Sequence, residues 1–166
     1  MRRALVVGGA NGIGLSIALQ LAERGDVEKV YVVDRASLDP QYAHHKIETF
    51  EFDLTSSDFG FFDRFTDIDT LMVTAGFGHL ALFKDITEDY IISSMNVNAT
   101  AVMRLVHRFY DRIASADDFY CGVMVSIAGF MSSPFFSVYG ASKAALKIFI
   151  ESVNVELEKG GFSNRI

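Results

Sequence analysis

The stretch ALVVGGANGIG, residues 4–14, limits what this chain can fold into more than any other. A short apolar run rich in valine ends in glycine, which reads as a buried strand meeting a turn. Glycines at 8, 12 and 14 follow. GLSIALQLAERG then carries apolar or small residues at Ile13, Ile17, Ala18, Leu21 and Ala22, the spacing of a helix that Gly25 can stop. Glycine at these turn positions permits a tight bend and a close approach of backbone to a diphosphate, and the free N–H groups of the helix N-terminus face the anion. A flexible turn in a chain with 13 glycines is the plainer reading. The strand–turn–helix context favours the dinucleotide.

The pattern continues in the same sense. KVYVVDR reads as a second buried strand ending on Asp34. IETFEFDLTS reads as a third ending on Asp53, DTLMVTAG as a fourth closed by Ala75 and Gly76, and CGVMVSIAG as a fifth. A short helix is expected around residues 59–65. A long one, capped by Thr87, is expected from about 88 to 114, and a last one from about 138 to 159, stopped by Gly160 and Gly161. Strands alternating with helices predict an α/β, doubly wound Rossmann fold: a parallel sheet with helices on both faces and right-handed crossovers. No linker, repeat or low-complexity tract interrupts residues 1–166, which read as a single domain.

Composition narrows the function. Half of the 166 residues are hydrophobic, enough for a sizeable core. A net charge of −6 argues against nucleic acid as a partner, since a phosphate backbone calls for a basic face. No run of 18 apolar residues predicts a membrane span, and the apolar run after Arg2 and Arg3 is too short for a signal peptide. The single cysteine, Cys121, excludes an internal disulfide and points to a reducing, cytoplasmic setting. The four histidines lack ligand spacing, so no metal site is expected. Phe59, Phe61, Phe62 and Phe65 are assigned to core or subunit packing.

Asp34 ends the second strand twenty residues after Gly14, where a carboxylate can accept hydrogen bonds from both ribose hydroxyls of an adenosine. It would repel a 2′-phosphate, which favours NAD. Arg35 pulls the other way, because an arginine there can pair with that phosphate. NAD is therefore preferred, with NADP the alternative.

In SVYGASKAALKIFI, residues 137–150, Tyr139 and Lys143 lie one helical turn apart on one face. A surface pair on an amphipathic helix is the bland reading. The chemical one is an acid–base phenol with a cation beside it: a free phenol titrates near pH 10, and a neighbouring ammonium favours the phenolate.

Taken together, these segments resemble the short-chain dehydrogenase/reductase family from about residue 4 to about residue 160. VGGANGIG is similar to its TGxxxGxG turn, with Val7 where threonine is usual. FDLT is similar to the segment whose aspartate, here Asp53, reaches the adenine. VTAG stands for NNAG, with Val73 and Thr74 replacing the asparagines. MNVNAT is similar to the region of the catalytic asparagine, here assigned to Asn96, and VSIAGFMSSPFFSVYGASKAAL to the active-site block.

The resemblance implies a catalytic set of Tyr139, Lys143, Ser126 and Asn96. Tyr139 is the acid or base, Lys143 its tuning charge and a ribose ligand, Ser126 the donor to the substrate oxygen, and Asn96 the holder of a relay water. It implies a cofactor site at Gly8, Asn11, Gly12, Ile13, Gly14, Asp34, Arg35, Asp53, Leu54, Ala75 and Gly76, completed by Tyr139 and Lys143. It also implies a small carbonyl or alcohol substrate, hydride transfer with NAD or NADP, and assembly as a homodimer or homotetramer. Family members continue past this point through a sixth strand, a substrate-covering segment and a seventh strand, so the chain reads as incomplete at Ile166. The alternatives are a catalytically silent dinucleotide-binding sensor or scaffold, and an inactive fragment of the enzyme.

Overall fold

Alternation along the strands fixes which side chains meet which layer. The computed structural model describes residues 2–166. Its strands are β1 (Arg2–Val7), β2 (Val27–Asp34), β3 (Ile47–Glu51), β4 (Thr70–Val73) and β5 (Tyr120–Val123). They form one parallel sheet in the order β3-β2-β1-β4-β5. Leu5, Val7, Val33, Leu71 and Val73 face one core, and Val6, Val30 and Val32 the other. A slip of one residue would exchange the two sets.

The helices are α1 (Gly12–Glu23), α2 (Glu88–Met95), α3 (Ala101–Arg108), α4 (Tyr110–Ile113) and α5 (Ser137–Lys159). Ala18 and Ala22 of α1 lie on Val6, Val30 and Val32, small side chains that let the helix sit close to the strands. Ile13, placed on the apolar stripe by its spacing, is exposed instead, because the buried line of α1 runs through Gly14, Ala18 and Ala22. The opposite core receives Val102, Leu105 and Val106 of α3 and Leu146 and Leu157 of α5. This is the doubly wound arrangement that the strand–helix alternation predicts.

The long helix expected over 88–114 is not continuous. Thr87 does cap it, its hydroxyl accepting from the Tyr90 N–H at 3.2 Å. The α-helix then widens into a π-helical turn over Asn96–Thr100 between α2 and α3. A second break at Phe109, with φ −98° and ψ 9°, separates α3 from α4. Both breaks serve burial: the first turns Asn98 and Ala99 inward together, the second lets Phe109 and Ile113 both enter the core. β3 and β5 are also shorter than their apolar runs, so Asp53 and Ser126 lie in the loops beyond them.

Those loops carry an aromatic cluster. Phe52 stacks on Phe61 at 4.6 Å between centroids and meets Phe62 edge-on at 5.0 Å, while Phe50 meets Phe65 edge-on at 5.3 Å. The phenylalanines are thus core on this chain. Cys121 is buried in the same core, which pushes its thiol up to about 12. Truncating Phe62, fully buried among these rings, is expected to lower the unfolding free energy by about 3–5 kcal/mol. Urea titration of Phe62→Ala reads this, and a loss under about 1 kcal/mol would contradict the cluster's role in the core.

Candidate active site

The strand order reverses between β1 and β4, and the carboxyl ends of those strands open a crevice there. Three glycines shape its floor. Gly8 and Gly12 have φ of +88° and +56°, which glycine adopts without strain. A methyl on Gly8 would overlap Ala75, and one on Gly14 would overlap the Gly8 carbonyl and the Thr74 hydroxyl. Thr74 Oγ1 lies within donating reach of the carbonyls of Val7, at 3.1 Å, and Gly8, at 3.0 Å. Val7 has no hydroxyl to offer, so the tie between the glycine turn and the β4 loop comes from the β4 side. The first turn of α1 leaves N–H groups without intrahelical acceptors, and Asn11 supplies no side-chain cap.

From this turn a cleft of about 310 Å³ runs toward β2 and β3, bordered by Gly8, Asn11, Asp34, Arg35, Asp53, Leu54, Ala75 and Gly76. Asp34 Oδ2 accepts from the Ala10 N–H and Oδ1 from the Ala36 N–H, each at 3.0 Å. Each oxygen retains a second lone-pair direction for a hydroxyl. Asp53 Oδ1 accepts from the N–H and the hydroxyl of Thr55, at 2.8 and 2.9 Å, which holds its carboxyl below the usual range. Arg35 is exposed on the rim. Arg104 of α3 reaches the next turn of this loop, donating to the carbonyls of Ser56 at 3.0 Å and Ser57 at 2.6 Å across the Phe59 ring.

At the other end stand the residues of α5. Lys143 is buried, and its ammonium donates to the Met124 carbonyl at 3.0 Å; burial lowers its pKa. A methyl built on Gly76 would lie 3.1 Å from Asn98 Oδ1 and 3.3 Å from Lys143 Nζ, so both polar atoms converge on that glycine. A methyl on Gly78 would sit 3.1 Å from the Tyr139 ring. Ser126 caps the turn at Ile127–Gly129, its Oγ accepting from the Ala128 N–H at 3.2 Å, and that turn rests on α5 at Gly140 and Lys143.

Asn96 does not join this group. It is exposed, and the asparagine in contact with the site is Asn98. Asn98 Nδ2 donates to the Phe77 carbonyl at 2.8 Å and to Ser142 Oγ at 3.1 Å, and its Oδ1 accepts from the Phe77 N–H at 3.0 Å. Ser142 in turn donates to the Tyr139 carbonyl at 2.7 Å. A sequence signal for this existed: Ser94, Asn98, Ala101, Val102 and Leu105 follow the buried helical stripe, and Asn96 falls off it. Thr74, Ser93 and Val97, which also border the cleft, carry no comparable signal. Of the expected cofactor residues, Gly12 and Ile13 lie exposed at the turn, Gly14 is buried beneath it, and Tyr139 and Lys143 stand beyond Gly76 and Gly78.

The family pattern described as short chain dehydrogenase matches residues 2–163. The chain belongs to the short-chain dehydrogenases. A short-chain type dehydrogenase/reductase of Sinorhizobium fredii is 32% identical over 157 residues, covering 93% of this chain and 63% of its own length. Human 17-beta-hydroxysteroid dehydrogenase type 1 is 30% identical over 168 residues, covering 92% and 51%. This short-chain dehydrogenase therefore spans between half and two thirds of the length of these two relatives. The solved bulky-bulky ketone specific alcohol dehydrogenase from Comamonas testosteroni superposes with a TM-score of 0.86 at 25% identity, over 99% of this chain and 70% of that one. Two structures of the same fold, at 20% and 19% identity, were solved with NADH and with NADPH. In this short-chain dehydrogenase the glycine turn is tied to the β4 loop through Thr74. Thr74→Val, which keeps the shape but leaves the Gly8 carbonyl without the hydroxyl while the Val7 carbonyl keeps the N–H groups of Thr74 and Ala75, is expected to lower stability by about 1–3 kcal/mol. Thr74→Ser is expected to restore most of it in the same denaturation assay.

Proposed function

We propose that this chain carries the hydride-transfer site of an oxidoreductase that interconverts a carbonyl and a secondary alcohol with a nicotinamide dinucleotide. The observation that carries the reading is the placement of Lys143 against Gly76 and Tyr139 against Gly78, with Ser126 capping the turn that packs on α5, at the end of a cleft whose other end is the Gly8–Gly14 turn and Asp34.

The donor set fits the cofactor. The glycine turn leaves no Cβ between backbone and a diphosphate, the first N–H groups of α1 suit its charge, and Asp34 suits the ribose hydroxyls. Asp53 and Leu54, which border the same cleft, would face the adenine. Asp34 at the centre and Arg35 on the rim favour NAD over NADP. The bound nicotinamide supplies or accepts the hydride.

The protein's own residues manage the proton. Tyr139 Oη protonates the forming alkoxide, or takes the proton from the alcohol in the reverse direction. Lys143 holds the ribose and passes the proton onward; burial makes its ammonium release a proton more readily than a solvated lysine, which suits a relay. Ser126 turns its hydroxyl proton toward the substrate oxygen and stabilises the negative charge developing there. Asn98, in place of Asn96, is a positioning residue: its grip on Phe77 sets the neighbouring Gly78 against the Tyr139 ring. Tyr139→Phe in the full-length protein is expected to lower kcat by at least a thousandfold while NADH binding by calorimetry stays within threefold and tighter than NADPH. Retained turnover would sink the assignment of the acid, and tighter NADPH binding would shift the weight to Arg35.

The same reading proposes a homodimer or homotetramer. Ile92 of α2 and Ile148 and Val155 of α5 are apolar and exposed on two helices that pack together. Light scattering at micromolar concentration is expected to give a mass of two or four chains; a monomer would contradict it. No described helix is long and apolar enough to cross a membrane, and a cytoplasmic setting is part of the proposal.

A further inference from the structure

We propose that the site takes an uncharged, predominantly apolar carbonyl or secondary alcohol, gripped between two apolar walls that flank Tyr139; this rests on the hydride-transfer reading above. One wall is FGHLALF, residues 77–83. It begins where Gly78 lies against the Tyr139 ring. The other is SIAGFMSSPFF, residues 126–136. It begins at Ser126, lies on α5 at Gly140 and Lys143, and ends with Phe136, whose ring centroid is 5.7 Å from that of Tyr139.

Both walls turn large apolar side chains outward. Leu80, Leu82, Phe83, Ile127, Phe130, Met131 and Phe135 are each between 47% and 75% exposed. Apolar surface gathered around a reactive hydroxyl marks a binding groove rather than ordinary surface scatter. A direct bond ties the walls together: the Ala81 N–H donates to the Phe135 carbonyl at 3.2 Å. Phe135 is held at φ +67°, the left-handed region, and is the one non-glycine residue there among those described. A bulky residue kept in that conformation is strained, and such strain gathers at ligand clamps.

Charge decides the class of ligand. Asp, Glu, Lys and Arg make up 22% of the chain, yet neither wall contains one. His79 is their single ionisable side chain. Lys147 lies 5.0 Å from the Phe130 ring and is paired with Glu151 at 2.6 Å, Lys143 is buried with its ammonium on the Met124 carbonyl, and Lys84 follows the first wall on its exposed side. A carboxylate or phosphate drawn between these walls would lose its water to side chains that carry no counter-charge. A sugar would bring several hydroxyls to a surface offering His79, Ser132 and Ser133. An aliphatic or aromatic ketone loses nothing polar beyond the carbonyl that Ser126 and Tyr139 receive. A second protein seated on this groove would close off Tyr139.

The test uses the full-length protein with NADH, and with NADPH, reducing 2-butanone, 2-decanone and levulinate, three unactivated methyl ketones. The expected kcat/KM for 2-decanone is at least tenfold above that for 2-butanone, from about six additional methylene groups brought to the walls, and levulinate is the slowest. Ile127→Ser and Leu80→Ser, at exposed positions that the fold does not need, are expected to raise KM for 2-decanone about tenfold with a smaller change in kcat. Calorimetric binding of 2-decanol reads the walls independently of turnover. Levulinate or 2-butanone turned over as well as 2-decanone overturns the apolar class and leaves hydride transfer intact. Tight 2-decanol binding, weakened in both variants, with no turnover of any ketone, upholds the walls and overturns hydride transfer. A change of oligomeric state in the variants with KM unmoved makes the groove a subunit interface and overturns the proposal.

Discussion

One side-chain amide holds the reactive end of this molecule together. Asn98 grips Phe77 through both its N–H and its carbonyl, much as a neighbouring strand would, and shares its remaining donor between Ser142 and Ser94. That fixes the loop leaving β4, the turn of α5 that bears Tyr139, and the space around Gly76 into which Lys143 projects. A buried amide is tolerated only when its donors and acceptors are used, and here they are. The π-helical turn follows from the same requirement. An uninterrupted helix would carry one residue fewer past this point, and the wide turn brings Asn98 and Ala99 to the buried side together.

The cleft at the other end resolves an apparent conflict of charge. A chain of net charge −6 offers little long-range attraction to a dinucleotide. The local field is different: the backbone N–H groups in the first turn of α1, which have no side-chain cap, present partial positive charge at short range, where it counts. Glycine makes this possible by keeping side chains out of the way, and Thr74 keeps the glycines in place. Net charge thus informs on polyanion partners and says nothing about a single buried diphosphate.

Much of this was legible in the chain itself. The apolar runs at 4–7, 30–33 and 71–73 became strands because only one register buries both faces of a parallel sheet, and the glycine turn announced the crevice. What local patterning missed has a physical reason in each case. The run over 88–114 has helical spacing throughout, but spacing does not reveal a π turn or the kink at Phe109, which arise when tertiary burial outweighs helical regularity. Asn96 and Asn98 are chemically identical in MNVNAT, and only their position on the buried stripe separates them. The phenylalanines after Asp53 could have faced a partner or the core, and the choice depended on the early end of β3, which no residue signals.

Arg104 and Asn98 lie six residues apart on one helical run. Asn98 anchors the loop beside the tyrosine, and Arg104 anchors the loop that follows Asp53. At about 1.5 Å of rise per residue their separation along the axis is roughly 9 Å, set by hydrogen-bonded backbone. The two mouths of the cleft are therefore not independent loops but two attachments on a single rod, which sets the spacing between them. Anything that lengthened or sheared that rod would alter the fit at both ends at once, with neither set of contact residues changed.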